Sequence, residues 1–121
     1  LKVIIDTNGL MVPAQWGVDI FNELEALGYD EFVTPSAVVE EIEKLKGKVK
    51  GRDRTALAIA REMLKKCEII EAQGFADDVV IEVAKSLNAP VFTNDAGLRA
   101  RLKKEGIRSI YLRAKHKLAI E

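Results

Sequence analysis

The chain has one cysteine, Cys67, and one histidine, His116, in 121 residues. A lone cysteine excludes an internal disulfide, and the two residues together exclude cysteine-based zinc sites. No apolar run approaches the ~20 residues of a membrane span, so no membrane partner is expected. The start of the chain has neither a charged n-region nor a small-residue cleavage site, so a cytoplasmic protein is expected. Internal repeats, low-complexity tracts and an interdomain linker are also missing. Net charge is zero, which argues against a generic polyanion binder.

What is present fits a folded domain. Hydrophobic residues make up 48% and charged residues 31%, a soluble globular balance, and 121 residues suffice for one hydrophobic core. Residues 1–121 are therefore expected to form one domain. Charge is unevenly spread. Lys44 to Lys66 holds nine Lys/Arg against Asp53 and Glu62, and Arg99 to Lys117 holds eight against Glu105. Acids gather between Asp19 and Glu43 and around Asp77. A cation-seeking centre with basic rims suits a protein that grips a phosphate backbone.

Hydrophobic periodicity predicts alternating strands and helices. Lys2–Ile5 reads as a buried strand, and Gly9 to Gly17 as a loop holding Pro13 and Trp16. Val18–Leu27 reads as an amphipathic helix and Glu31–Thr34 as a short strand. Pro35 breaks that strand and Ser36 is the expected cap of a helix over Ala37–Leu45. Further helices are expected at Arg52–Lys66, Ala76–Leu87 and Asp95–Glu105. Further strands are expected at Cys67–Ile70, Pro90–Thr93 and Ser109–Leu112. Arg113–Glu121 is basic and then apolar, a further short strand or an edge addition. Such alternation calls for a parallel sheet covered on both faces.

Four carboxylates carry the functional reading: Asp6, Glu41, Asp77 and Asp95. Asp6 ends the run Val3-Ile4-Ile5, and Asp95 follows Val91-Phe92-Thr93-Asn94. In an open α/β sheet the carboxyl ends of the strands form the ligand-binding edge. Thr7 and Asn8 could hydrogen-bond the Asp6 carboxylate or a bound water. Helix phase separates two doublets. Residues three, four and seven after Asp77 are all apolar (Val80, Ile81, Ala84), whereas Asp78 meets Ile81, Glu82 and Lys85. Glu41 likewise lies beside Val38 and Leu45, and Glu40 beside Ala37 and Lys44. Asp77 and Glu41 are the preferred members, though each doublet stays open by one residue. Simpler roles exist for each acid: Asp6 and Asp95 as helix caps, Asp77 in a first turn that favours negative charge, Glu41 on a solvated face.

Taken together the four need a counter-charge. Two carboxylates ~4 Å apart repel by about 4 kcal/mol at an effective dielectric near 20. All-oxygen ligation without His or Cys favours Mg²⁺ or Mn²⁺. Other acidic α/β sites fit less well. Asp6 is a single acid where a receiver domain needs a pair, and Asn8 stands where a haloacid-dehalogenase-type phosphatase needs Asp. The glycine pattern of a dinucleotide fold is missing after the first strand.

Four segments occur in order: Val3-Ile4-Ile5-Asp6-Thr7-Asn8, Val33 through Ile42, Ala76-Asp77-Asp78-Val79-Val80-Ile81, and Val91-Phe92-Thr93-Asn94-Asp95. Together they resemble the PIN-domain ribonucleases, over nearly the whole chain. Met11 through Phe21 and the ending Ile110-Tyr111-Leu112 look like an archaeal branch. That branch is similar both to VapC-type toxins and to the PIN endonucleases of eukaryotic small-subunit rRNA processing. The resemblance implies a three-layer α/β/α domain with a five-stranded parallel sheet, order 3-2-1-4-5. It implies Mg²⁺- or Mn²⁺-dependent cleavage of RNA, with Asp6, Glu41, Asp77 and Asp95 at the metal and Thr93 as the hydroxyl before the last acid. Homodimers are common in the family, and an antitoxin or a pre-ribosome would be a partner. Arg52, Arg54, Arg99 and Arg101 are the expected grips on the RNA backbone. His116, in the basic tail, is not assigned to the metal. The alternative is a catalytically weak scaffold that binds RNA or protein in ribosome assembly. Met11, Pro13 and Trp16 could then form a dimer or partner patch, although core packing is the commoner fate of a lone Trp.

Overall fold

The structure is a computed structural model and describes residues 1–114 and 117–121. Lys115 and His116, which the sequence reading placed in the basic tail, lie outside the described residues. A six-stranded sheet of order β3-β2-β1-β4-β5-β6 forms the centre. Its strands are β1 (Lys2–Ile5), β2 (Glu31–Pro35), β3 (Glu68–Ile70), β4 (Val91–Phe92), β5 (Ser109–Arg113) and β6 (Lys117–Ile120). The first five are parallel, in the expected order, with Ile4 opposite both Val33 and Val91. The sixth differs from the five-stranded expectation. It pairs antiparallel with β5, from Ile110 opposite Ile120 to Arg113 opposite Lys117, and covers what would have been an open edge.

Successive strand residues point to opposite faces, yet Val3, Ile4 and Ile5 are all fully buried. Both faces of the sheet are therefore covered by helices, in a three-layer arrangement. The helices are α1 (Thr7–Trp16), α2 (Ile20–Ala26), α3 (Ser36–Leu45), α4 (Arg52–Leu64), α5 (Ala76–Leu87) and α6 (Ala96–Lys104). Helix α1 packs on α3 and α4, α5 on β1 and β2, and α6 on β5.

The loop expected from Gly9 to Gly17 is the helix α1. Gly9 and Pro13 read as breakers, but neither acts as one. A Cβ on Gly9 would lie 2.6 Å from the Phe92 carbonyl oxygen and 2.8 Å from its ring, so this glycine permits close approach to β4. Pro13 sits inside the helix at the cost of one backbone bond. Gly17, at φ 67°, ends it by donating its N–H to the Pro13 carbonyl at 2.8 Å. Trp16 lies at the end of α1 and is 44% exposed, so it does not take the core position that is commoner for a lone Trp.

Smaller differences have local causes. Helix α2 begins two residues later than expected because Asp19 caps it, accepting from the Asn22 N–H at 3.2 Å. Pro35, not Ser36, occupies the cap position of α3, with no side-chain capping bond. The Ser36 hydroxyl instead clasps Ala72: it donates to the Ala72 carbonyl at 3.0 Å and accepts the Ala72 N–H at 2.9 Å. Strands β3 and β4 are shorter than expected, while α5 has the expected bounds.

Candidate functional site

Strand order reverses at β1, whose connection leads to β2 on one side while β4 lies on the other. The crevice beside such a reversal is where open α/β sheets bind ligands. Asp6 leaves the end of β1 there, and Thr93 leaves the end of β4.

Asp6 is 5% exposed. One carboxylate oxygen accepts the Gly9 N–H at 2.7 Å and caps α1, and the other accepts the Thr93 hydroxyl at 2.9 Å. Asp6 is thus a helix cap and also part of the site. Burial drives its carboxyl from 3.8 up to about 7, against the lowering effect of the two hydrogen bonds, and repulsion from Asp77 and Asp95 adds to the rise.

Thr93 is fully buried. Its hydroxyl also accepts the Asp95 N–H at 3.1 Å, which ties Asp95 to Asp6 through one oxygen. Asp95 caps α6 through the Leu98 N–H at 2.9 Å. That capping bond uses one oxygen and leaves the other open. Asp77 lies in the first turn of α5 and is exposed. Partial desolvation raises its carboxyl above the ordinary value, helped by Asp95 and Glu41 and opposed by Arg101. Asp78 forms an ion pair with Arg101 at 2.6 Å. Glu41 is exposed on α3 and faces Asp77 closely enough to repel it.

The four acids therefore share one electrostatic neighbourhood. Among the described residues, however, no three of them come together as a closed ligand set for one ion. Mg²⁺ commonly keeps several of its waters and takes only one or two carboxylates directly. The donor set suits a hard divalent cation: oxygen ligands only, a buried carboxyl lifted to about 7, and Arg101 opposing the rise at Asp77.

Two asparagines were not anticipated as struts of this site. Asn8, offered by the sequence to the Asp6 carboxylate or to a bound water, uses its side-chain oxygen to accept the Asn94 N–H at 2.8 Å. The Asn94 side-chain oxygen in turn accepts the Leu112 N–H on β5 at 2.7 Å. The signal was an Asn three residues past β1 and another two past β4. The Thr7 hydroxyl is buried without a hydrogen-bond partner among the described residues.

The expected RNA grips divide into two groups. Arg52 and Arg54 are exposed at the start of α4, and Arg54 lines a cleft of about 470 Å³ with Lys46, Lys50 and Arg61. Arg99 is committed elsewhere: it pairs with Glu121 and lies 3.6 Å from the centre of the Tyr111 ring. Arg101 is held by Asp78 but stays half exposed beside the acids.

A family profile described as a PIN like domain matches residues 3–115, so the chain belongs to the PIN-domain family. Ribonuclease VapC9 of Archaeoglobus fulgidus is 29% identical over 118 residues, spanning 98% of this chain and 87% of that protein. The solved PIN domain endonuclease Utp24 is 28% identical with a TM-score of 0.77, covering 99% of this chain and 90% of its own. The VapBC2 structure from Rickettsia felis, bound to a promoter DNA fragment, shares the fold at a TM-score of 0.69 and 18% identity, over 93% of this chain and all of its own.

Proposed function

We propose that this chain is a divalent-metal-dependent endoribonuclease. The observation that carries the reading is Asp6: a buried carboxyl at the strand-order reversal, fixed by Thr93 and pressed by Asp77 and Asp95. Membership of the PIN family, the ribonuclease relative and the endonuclease likeness support it.

Asp6, Asp77 and Asp95 would hold Mg²⁺ or Mn²⁺, directly or through water. Glu41, on a separate helix facing Asp77, would ligate a second ion or orient the attacking water. When bound, the ion lowers the pKa of a water and neutralises charge on the phosphodiester. Thr93 keeps the Asp6 carboxylate in one orientation while its oxygen anchors the Asp95 backbone. Exposed Arg52 and Arg54 would take phosphates of the RNA. In the net reaction water adds across one P–O bond of the RNA backbone.

The test is cleavage of an internally labelled RNA by purified protein in Mn²⁺, in Mg²⁺ and in EDTA. Internal cuts are expected with either metal and none with EDTA. Asp6→Asn is expected to lower the rate by at least two orders of magnitude while the far-ultraviolet circular dichroism stays unchanged. An Asp6→Asn preparation as active as the unaltered protein overturns the reading.

A further inference from the structure

Three of the four phenylalanines, Phe21, Phe32 and Phe92, are buried. The fourth, Phe75, is 84% exposed. It occupies the cap position of α5, two residues before Asp77, on the segment that leaves β3. Parallel strands place the end of β3 on the same edge as the ends of β1 and β4, so the ring stands at the edge that carries the acids.

The segment is held at both ends. On one side the Ser36 hydroxyl and the Ala37 N–H fasten Ala72, the latter by a bond of 3.1 Å to its carbonyl. On the other, the Phe75 carbonyl accepts the Val79 N–H at 3.0 Å in the first turn of α5. Gly74 between them has φ 133°, which side chains other than glycine's rarely allow, and lies against Val79. The backbone that carries the phenyl ring is thus fixed, and the ring itself is presented to solvent.

Its chain neighbours argue for the kind of partner. Gln73, Asp77 and Asp78 are polar and exposed, and Gly74 has no side chain. An aromatic anchor of a protein interface usually sits among other apolar groups that exclude water. A lone ring amid polar groups suits a flat ligand that is apolar on its faces and polar at its rim. A nucleobase is such a ligand, and base–aromatic stacking tolerates any sequence.

We infer that Phe75 is a base-stacking residue: its ring stacks an unpaired nucleobase of the RNA next to the acidic centre. The inference rests on the nuclease reading above.

The test compares two single-stranded RNA oligonucleotides in Mn²⁺. One has all its bases; the other carries abasic riboses on both sides of the cleavage position mapped with the unaltered protein. Phe75→Ala is expected to lower kcat/KM for the base-bearing oligomer roughly tenfold, mainly through KM. The preference for that oligomer over the abasic one should shrink toward unity, and Phe75→Trp should restore both. If Phe75→Ala keeps the KM and the preference, stacking is overturned and the ring belongs to another partner, a protein being the first to consider. Equal loss on both oligomers overturns it too, in favour of a structural role. Failure of the unaltered protein to cut either oligomer overturns the nuclease reading itself.

Discussion

Thr93 and Asp6, 87 residues apart in sequence, meet through a 2.9 Å hydrogen bond between the ends of β4 and β1. The hydroxyl donates to the carboxylate and also accepts the Asp95 N–H. One side chain therefore orients two of the acids assigned to the metal.

Thr93→Val keeps the shape of this fully buried side chain and removes the oxygen. Groups that orient metal ligands typically contribute 10–100-fold in affinity or activity. The expected outcome is a Kd for Mn²⁺, measured by calorimetry, weaker by roughly tenfold or more. The Asp6 carboxyl should also titrate higher, because the Thr93 bond lowers its pKa. An unchanged Kd would mean that Thr93 is only packing.

Asp6 also sets a pH dependence of stability. Its folded pKa, about 7, lies above the ordinary 3.8, so between those values the folded state holds a proton that the unfolded state has lost. The stability this group contributes is complete below pH 3.8 and is lost as pH rises to about 7. In the metal-free protein at pH 8, Asp6→Asn should therefore stabilise the fold, by on the order of 4 kcal/mol at most. At pH 4 the gain should nearly vanish. Urea unfolding at the two pH values reads the difference, and a pH-independent effect would contradict this account.

The arginines should separate in their response to salt. Arg52 and Arg54 are exposed at the start of α4, whereas Arg99 is engaged by Glu121 and Tyr111. Each phosphate contact to a single strand adds about 0.7 to the slope of log K against log salt. The variant with both Arg52→Ala and Arg54→Ala should lose up to about 1.4 in that slope. Arg99→Ala should leave the slope alone and lower Tm instead. Loss of slope in Arg99→Ala, measured by RNA binding in Ca²⁺, would reverse the assignment.

Much of this architecture was legible in the residues. Helix α5 has the expected bounds because Ala76–Leu87 carries an unbroken 3.6-residue pattern. The same pattern set Asp77 apart from Asp78, and Asp78 forms an ion pair with Arg101. Local signals failed where tertiary contacts decide. Gly9 looks like a turn residue until β4 is seen lying against it. Ser36 looks like a cap, but its hydroxyl serves Ala72, 36 residues away. Asn8 and Asn94 could not be paired without knowing that β1 and β4 are neighbours. Asp6 and Asp95 stand just past strand ends and Asp77 in a first helical turn, where sequence position and spatial edge coincide, whereas Glu41 lies in the middle of α3.

The chain of bonds from Asn8 to Asn94 to Leu112 decides how the protein loses its site on heating. Catalytic groups carried on loose loops can melt locally while the rest of a fold persists. Here the residues flanking Asp6 and Asp95 are stitched into the ladder of β1, β4 and β5. The site is expected to open with the sheet, so that loss of activity and global unfolding should share one midpoint on heating.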